Sequence, residues 1–466
     1  MTVPPVARTS IALAFLAVFL VVARADAEGV PQPVELPQQL SLDQSIQILK
    51  TRSLDLLIAE AAVKNAEGDV DVAGAVPNPA LSLYYGRVLP PYDPHAAGFV
   101  VTGPGPTPGS VQGSNQVLCP GCSASAYTIG LTDQAAIEDS LSGKRDLRLK
   151  VAHAALQAAR LSRNDALRTI QFQVKSAYAT VAQAQRALAF TKENQATNIK
   201  TLQLFQIRLK SGAINEGDLA RIETQKLEAD QAVDQAMVVL RQARVALAFL
   251  LGVRGPTPEF TVDDKILDYA VPPQLANAQL DGLLRTAFEH RPDLLALGYQ
   301  RASAEAAITL AKRQVFPDIT VSAQYTQIGV SQTAIQPPTV TFGLSAPIPI
   351  FYQQQGEIRK AEASYDTQSL QQAKATALVV SDVSSAMAGY ESSRALVERM
   401  EKQLRPSADR AFSITRLQYD KGAATLMDFL DAQRTYIATN EEYLLDLSNY
   451  WTAVFQVEQA VGMELH

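Results

Sequence analysis

The chain is internally duplicated, because the pattern of residues 42–79 reappears without a gap 238 positions later. In both copies a helical pattern ends at a proline, Pro79 or Pro317, and an alternation of polar and apolar residues follows. The doubled unit is therefore a helix that leads into a β-strand, and its period exceeds the roughly 20 to 50 residues of a solenoid module. The other matching positions are Leu42 and Leu280, Asp43 and Asp281, Asp55 and Asp293, Leu56 and Leu294, Leu57 and Leu295, Ala66 and Ala304, Glu67 and Glu305, and Ala73 and Ala311.

Each copy is predicted to contain a helix, two strands, a very long helix and a final helix. The predicted ranges are 42–76, 81–85, 125–131, 144–210 and 218–251 in the first copy, and 280–315, 319–326, 339–346, 357–418 and 425–462 in the second. Further landmarks recur as Gly130 and Gly343, Gly143 and Gly356, Gly212 and Gly422, Asp218 and Asp428, and Gly252 and Gly462. The expected fold class is mainly α with a small β part.

The long helices define the expected architecture. A helix of about 65 residues is roughly 100 Å long, and two of about 35 residues stacked end to end match it. Such helices must bury their apolar stripes on one another, which favours antiparallel coiled-coil packing. Residues 253–279 carry several prolines and are interpreted as a linker between a first repeat at 40–252 and a second at 280–463.

The first 25 residues resemble a cleaved secretory signal, with Arg8 followed by an apolar run at 11–22. Cleavage is expected after Ala25 or Ala27. No later stretch reaches the roughly 18 apolar residues of a membrane-spanning helix. Attachment to a membrane must therefore come from the fold.

The predicted strands are two-faced. Val340, Phe342 and Leu344 alternate with Thr341 and Gly343, and the strand at 319–326 alternates in the same way. A half-buried soluble sheet is one explanation. A membrane barrel is the other, but it needs about eight strands to close. Four strands per chain would then require oligomerisation, and three copies would supply twelve strands continuing into twelve columns of helix.

The sequence contains no motif that supports catalysis. It has no Gly-rich phosphate loop, no zinc-protease motif and no nucleophile elbow, and its four His and six Met residues are scattered. We therefore expect no enzyme activity, no cofactor and no metal site. The net charge of -6 gives no reason to expect nucleic acid. Cys119 and Cys122 form a Cys-Pro-Gly-Cys turn, interpreted as a small loop disulfide or idle thiols.

Three motifs carry a resemblance to a known family. They are Pro77-Asn78-Pro79 before the first strand, residues 346–350 (Ala-Pro-Ile-Pro-Ile) after the fourth, and residues 422–432 at the last helical turn. With the duplicated order they make the chain resemble the TolC-like outer-membrane efflux proteins. The resemblance implies a homotrimer in the outer membrane, with a 12-stranded β-barrel that opens into a periplasmic α-helical tunnel. It also implies an exit duct of a tripartite system that conducts substrates passively, with a periplasmic adaptor and an inner-membrane pump as partners.

The last helical turn of each repeat carries the candidate gate. Asn215 precedes Asp218 by three positions and Thr425 precedes Asp428 likewise, a spacing typical of helix capping. Asp428 and Asp431 share a helix face, so three copies would bring six carboxylates near one axis.

By resemblance, Asp428 and Asp431 match the family's acidic pair at the narrow end, Tyr419 its gate tyrosine and Asp218 an acidic partner. Ala424 stands where the family can carry a gate arginine. Arg221 and Lys421 are candidates to replace its pairing.

Two other functions compete with the duct. A periplasmic coiled-coil scaffold without a pore explains the long helices, although it does not explain four two-faced strands. A general porin would need many more strands per chain. The motifs look most similar to the branch paired with resistance-nodulation-division pumps, including heavy-metal exporters, and the sequence leaves the transported substrate undetermined.

Overall fold

Ten helices account for most of the chain in the computed structural model, which describes residues 36–87, 125–328 and 338–465. They are α1 (Leu42–Arg52), α2 (Leu54–Gly74), α3 (Ala136–Ser142), α4 (Lys144–Lys210), α5 (Glu216–Leu250), α6 (Leu280–His290), α7 (Pro292–Arg313), α8 (Gln355–Arg399), α9 (Arg405–Asp420) and α10 (Leu426–Val461). The expected signal segment, His95 and the Cys119–Cys122 turn lie outside the described residues. Within the described ranges, none of the helices is both long and apolar enough to cross a membrane.

In the described ranges, six strands form two sheets. A two-stranded parallel sheet joins β1 (Gln39–Leu40) to β4 (Thr261–Val262), and an antiparallel sheet contains β2 (Ala80–Arg87), β3 (Ser125–Thr132), β5 (Thr320–Ile328) and β6 (Thr339–Ser345) in the order β2-β3-β5-β6. The four strands of the second sheet were predicted from their alternation. The short sheet and α3 were not predicted, because two-residue strands leave no periodic signal.

The four-stranded sheet has one apolar face. Leu83 lies opposite Ile129, which lies opposite Tyr325, and Tyr325 lies opposite Val340. The other face carries small or polar residues, as where Thr128 lies opposite Thr326. The apolar side chains are mostly exposed, with Phe342 exposed by 79%. The alternating apolar residues of the four strands therefore form one continuous apolar surface.

The first helix of each repeat is broken, so the predictions of single helices at 42–76 and 280–315 were wrong. The breaks fall at Ser53 and Arg291, whose backbones are extended. Pro292 explains the second break, because a residue before proline avoids the helical conformation. Ser53 has no such neighbour, and its hydroxyl does not cap α2.

The second long helix is interrupted, whereas α4 runs unbroken through 67 residues. A π-helical turn at Met400–Leu404 separates α8 from α9, so the prediction of one continuous helix at 357–418 was wrong. Matching glycines lie 213 positions apart before this point and 210 after it, so the second repeat has lost three residues. A turn of α-helix has about 3.6 residues, so a loss of three residues removes about one turn and leaves roughly one residue too many for regular α-helix. The wider π-helical turn accommodates that extra residue.

The core lies where the two repeats meet the linker. Tyr178 of α4 is buried, donates to the carbonyl of Leu40 at 2.9 Å and accepts from the amide of Asp263 at 2.9 Å, which ties β1 and β4 to the long helix. Nearby, Lys175 pairs with Glu458 of α10 at 2.8 Å, and both side chains are at most 6% exposed. These contacts join segments far apart in sequence into one body.

Helix packing brings the two helical turns together. Both α2 and α5 pack along α4, as expected for two shorter helices that match one long one, and α7 and α10 pack along α8. The α4–α5 and α9–α10 hairpins meet at their ends in an apolar cluster of Phe205, Ile222, Leu426 and Phe429. We refer to these two hairpin ends, residues 205–222 and 412–431, as the tip.

Candidate functional site

The two turns of the tip have the same backbone geometry. Gly212 and Gly422 are left-handed, with φ of 72° and 76°. After each glycine the next amide bonds back to a carbonyl five residues earlier, at 2.9 Å from Ala213 and 2.8 Å from Ala423. This is a Schellman-type helix ending, for which glycine is favoured because it has no Cβ. The duplication therefore extends to the turn conformation.

Side-chain caps begin both following helices, as the sequence predicted. The Asn215 side chain accepts from the amide of Asp218 at 2.8 Å. Thr425 and Asp428 form a complete capping box, in which the Asp428 amide donates to the Thr425 hydroxyl and the Thr425 amide donates to the Asp428 carboxylate at 2.9 Å. Hydrogen bonds from the Thr425 hydroxyl and amide lower the pKa of Asp428. A charged carboxylate is thus held at the tip.

Asp431 is exposed on the next turn of α10. It lines an open groove of about 490 Å³ between α5 and α10, together with Arg221, Glu228 and Arg434. Asp428 is exposed as well, so both members of the predicted acidic pair are available to solvent. No group of three acidic, His or Cys side chains suited to a metal ion occurs in the described ranges.

Tyr419 joins the two hairpins through ring contacts. Its ring stacks on Phe205 of α4 with centroids 6.0 Å apart, and on Phe429 of α10 at 5.4 Å. Burial in this stack raises the pKa of the Tyr419 phenol, although nearby Arg208 opposes that shift. Tyr419 therefore packs at the interface between the first and second hairpins.

Arg208 is a tip residue that the sequence reasoning missed. Its guanidinium lies 5.8 Å from the ring centroids of both Phe205 and Tyr419, and 3.9 Å from the Asp420 carboxylate. The only available signal was its position three residues after Phe205 on a helix, which places both on one face. The contact of Arg208 with Tyr419 could not be predicted, because it depends on how the second hairpin packs against the first.

Arg221 and Lys421 were proposed from sequence to replace the missing arginine, and Lys421 is exposed. Arg221 faces its own helix and pairs with Asp218 at 3.6 Å, so it does not bridge the hairpins through that contact. The two hairpins are also joined farther from the turns, where the buried Gln433 of α10 donates to Asn198 of α4 at 3.1 Å. The hairpins are thus joined by an aromatic stack, a cation and a buried amide pair.

Comparisons with known proteins concern the chain as a whole. A family model described as outer membrane efflux protein matches residues 110–253 and 283–463. The cobalt-zinc-cadmium resistance protein CzcC of Cupriavidus metallidurans is 24% identical over 97% of this chain and 98% of its own. The pyoverdine export outer membrane protein OpmQ of Pseudomonas aeruginosa is 23% identical over 91% of this chain and 85% of its own.

Solved structures show the same fold. The open state of the Neisseria gonorrhoeae MtrE outer membrane channel matches with a TM-score of 0.70 at 20% sequence identity, covering 91% of this chain and 89% of the other. At this identity the likeness concerns the fold.

Proposed function

This chain belongs to the outer membrane efflux protein family, and from that premise we propose that three copies of it assemble into one exit duct. The protein is the outer-membrane component of an efflux system, and it extends into the periplasm. The scaffold without a pore, considered as an alternative, does not agree with this family. Proteins of the family are channels, and conduction through a duct requires no covalent step.

The four-stranded sheet is the observation that supports the trimer. Its apolar face is exposed, and among the strands of the described ranges β2 and β6 are the two outer strands of the sheet. Unpaired edges are not tolerated in lipid, and four strands cannot close. Three copies supply twelve strands, an even number that allows neighbours to alternate in direction around a closed barrel.

In this proposal the two repeats have the same role in the duct. Residues 40–252 and 280–463 each supply two strands and one set of tunnel helices, and 253–279 forms a belt between them. The first 25 residues act as the export signal.

The tip forms the narrow end of the tunnel in this proposal. Asp428 and Asp431 line it, and their exposure and the charged state of Asp428 support that role. Tyr419 and Asp218 belong to the same gate region, with Tyr419 packed between the hairpins. Six carboxylates around one axis attract cations and disfavour tight closure.

The cargo class that fits an acidic constriction is cationic. A relative of similar length is named for cobalt, zinc and cadmium resistance, which supports a metal cation. The name of the other relative supports export of pyoverdine instead. A periplasmic adaptor and an inner-membrane pump would deliver either cargo.

The first test is the protein mass of the detergent-solubilised particle, measured by light scattering corrected for bound detergent. Three chains per particle are expected, and a detergent-free monomer would refute the duct. Single-channel conductance then tests the tip. Asp428→Asn with Asp431→Asn should lower the preference for cations over anions, whereas the matched Asp234→Asn, exposed on α5 outside the tip, should not.

A further inference from the structure

The long helix of the second repeat is interrupted at one place, and two features that weaken a helix coincide there. In the π-helical turn at Met400–Leu404, the Arg405 amide donates to the Met400 carbonyl, five residues earlier. Pro406 follows at the start of α9. Proline has no amide hydrogen, and in a regular helix its ring crowds the carbonyl four residues earlier. Residues 400–406 are therefore a point at which the helix can change direction.

The long helix of the first repeat continues past the matching position. Ala196 of α4 matches Pro406, 210 positions later, and α4 runs through it without a break. An unbroken helix bends only gently, whereas sharp changes of direction occur at prolines and π-turns. The duplication thus gives the molecule one continuous long helix, α4, and one that is divided into α8 and α9.

Both long helices are held to the linker, residues 253–279, at matching positions. Gln185 of α4 matches Glu398 of α8, 213 positions later. The Gln185 side chain accepts from the Val262 amide at 2.8 Å and donates to the Val262 carbonyl at 3.0 Å. The Glu398 carboxylate accepts from the Tyr269 hydroxyl at 2.8 Å. Val262 and Tyr269 both belong to the linker, which therefore fixes the two long helices at equivalent points.

Glu398 is held by three hydrogen bonds directly before the interruption. Besides the bond from Tyr269, it accepts from Arg394 at 3.0 Å and from Lys402, inside the π-turn, at 3.0 Å. These three bonds, that from Lys402 foremost, lower the pKa of Glu398 to about 2, so the carboxylate is charged at neutral pH. The second long helix is thus anchored as far as the first residues of the π-turn.

Beyond the interruption the helix has fewer contacts within the chain. α8 packs on α6, α7 and α10, whereas α9 packs chiefly on α10. Of the 16 residues of α9, all in the described part of the chain, Ala408 alone is buried. Arg405 donates to Asn440 of α10 at 3.3 Å, and its guanidinium lies 4.1 Å from the ring centroid of Tyr443. Because α9 is tied mainly to α10, the two helices bend as a pair.

The length of α9 suits a gate that bends at its first turn. About 20 Å of helix separate Pro406 from Tyr419 at 1.5 Å per residue. A bend of about 15° at Pro406 would move Tyr419 by about 5 Å. The Tyr419 and Phe205 ring centroids are 6.0 Å apart, so a movement of that size breaks their contact.

A pair of helices can bend only if the length of one of them adjusts. The axes of packed helices lie roughly 8 to 10 Å apart, so a bend of about 15° makes the two paths differ by about 2.5 Å. That difference equals between one and two residues of helix rise, at about 1.5 Å each. The π-turn holds one residue more than an α-turn and can take up much of the difference, while α10 curves gently.

We propose that residues 400–406 are the hinge of the gate, an inference that rests on the proposed duct with its narrow end at the tip. Glu398 is the positioning residue of this hinge, because it holds the fixed side to the linker. The first hairpin keeps its place, since α4 is continuous. Opening separates Tyr419 from Phe205 and Arg208 of the first hairpin.

Distances between copies test the hinge. Ala213 and Ala423 are exposed alanines at matching positions of the two turns. Ala423→Cys reports on the hinged hairpin, and Ala213→Cys is its matched control on the first hairpin. Each is made with Cys119→Ser and Cys122→Ser, and the spin-labelled full-length protein is measured in detergent by pulsed electron paramagnetic resonance. The distribution of distances between copies should be broader at position 423 than at 213, by about 5 Å.

Removal of the hinge should abolish that difference. Deletion of Gln403 together with Pro406→Ala removes the extra residue of the π-turn and restores the missing amide hydrogen, which gives one continuous helix. The distribution at 423 should then narrow to the width at 213, and channel openings in a planar bilayer should become several times rarer. Glu398→Ala should broaden the distribution at 423, whereas Glu391→Ala, at an exposed position of α8, should not.

Equal widths at positions 423 and 213 in the parent protein would overturn the hinge, whether or not the deletion variant folds. A width at 423 that the deletion leaves unchanged would overturn it too. A narrowed width with openings as frequent as in the parent would show that the bending does not serve the gate. A particle with one chain would give no distance between copies, and would refute the oligomeric duct itself.

Discussion

At the scale of single residues, the capping box at Thr425 links charge to stability. Its hydrogen bonds lower the pKa of Asp428 below the ordinary 3.8, so the stabilisation is complete at neutral pH and is lost as the pH falls through the lowered value. Thr425→Val should lower the midpoint of thermal unfolding at pH 7, with a smaller difference in acid, where only the bond from the Asp428 amide to the Thr425 hydroxyl is still lost. Thr435→Val, whose hydroxyl bonds only the Asp431 carbonyl, is the control. Equal midpoints of Thr425→Val and the parent at pH 7 would contradict this.

Arg208 should matter for closure of the tip, because it contacts Tyr419 and Asp420 of the other hairpin. Arg208→Ala should loosen the hairpins and raise single-channel conductance in a planar bilayer. Arg416→Ala removes the same charge from an exposed position of α9 and should leave conductance near the parent value. Equal effects of both changes would mean that conductance responds to net charge alone.

The buried pair of Lys175 and Glu458 holds the end of the chain, since Glu458 also accepts from the amide of Leu465 at 3.0 Å. Lys175→Met would remove the buried cation that balances the Glu458 carboxylate and should cost about 3 to 5 kcal/mol of unfolding free energy. Adding Glu458→Gln keeps an acceptor for Leu465 without the charge, so the double variant should recover much of the loss in a denaturant titration. If Lys175→Met left the free energy of unfolding unchanged, water would have to reach the Glu458 carboxylate.

At the scale of elements, the helix ends depend on close approach between backbones. Gly252 follows α5 with φ of +84°, and a Cβ there would lie 2.5 Å from the carbonyl oxygen of Arg52, at the break between α1 and α2. Gly212 has a similar φ but open space around it. Gly212→Ala should cost about 1 to 2 kcal/mol for the left-handed backbone alone, and Gly252→Ala clearly more, by thermal unfolding. Similar costs would mean that the Arg52 segment moves aside without strain.

At the scale of the whole molecule, the two faces of the sheet decide where the protein can reside. Phe342→Lys places a charge on the apolar face, which costs about 2 to 4 kcal/mol at the middle of a bilayer. It should reduce the amount of folded protein in the outer membrane, measured as heat-modifiable protein on gels. Thr341→Lys, on the adjacent residue of the same strand, faces the polar side and should insert normally. Equal losses would refute the orientation of the sheet.

Local patterns determined much of the molecule. The duplication, the four alternating strands, the bounds of α4 and both caps of the tip could all be predicted, because each depends on residues close together in sequence. The family resemblance was confirmed, and with it the outer-membrane efflux function. The gate roles of Asp428, Asp431, Tyr419 and Asp218 remain predictions.

Tertiary structure decided the features that depend on distant segments. No proline follows Ser53, so the sequence does not predict the helix break there. The break lies where Gly252 approaches the carbonyl of Arg52. The contact of Arg208 with Tyr419 and the pairing of Lys175 with Glu458 join residues more than 200 positions apart. Periodicity shows which face of a helix is buried, whereas the partner that covers it is set by packing between repeats, which no local pattern records.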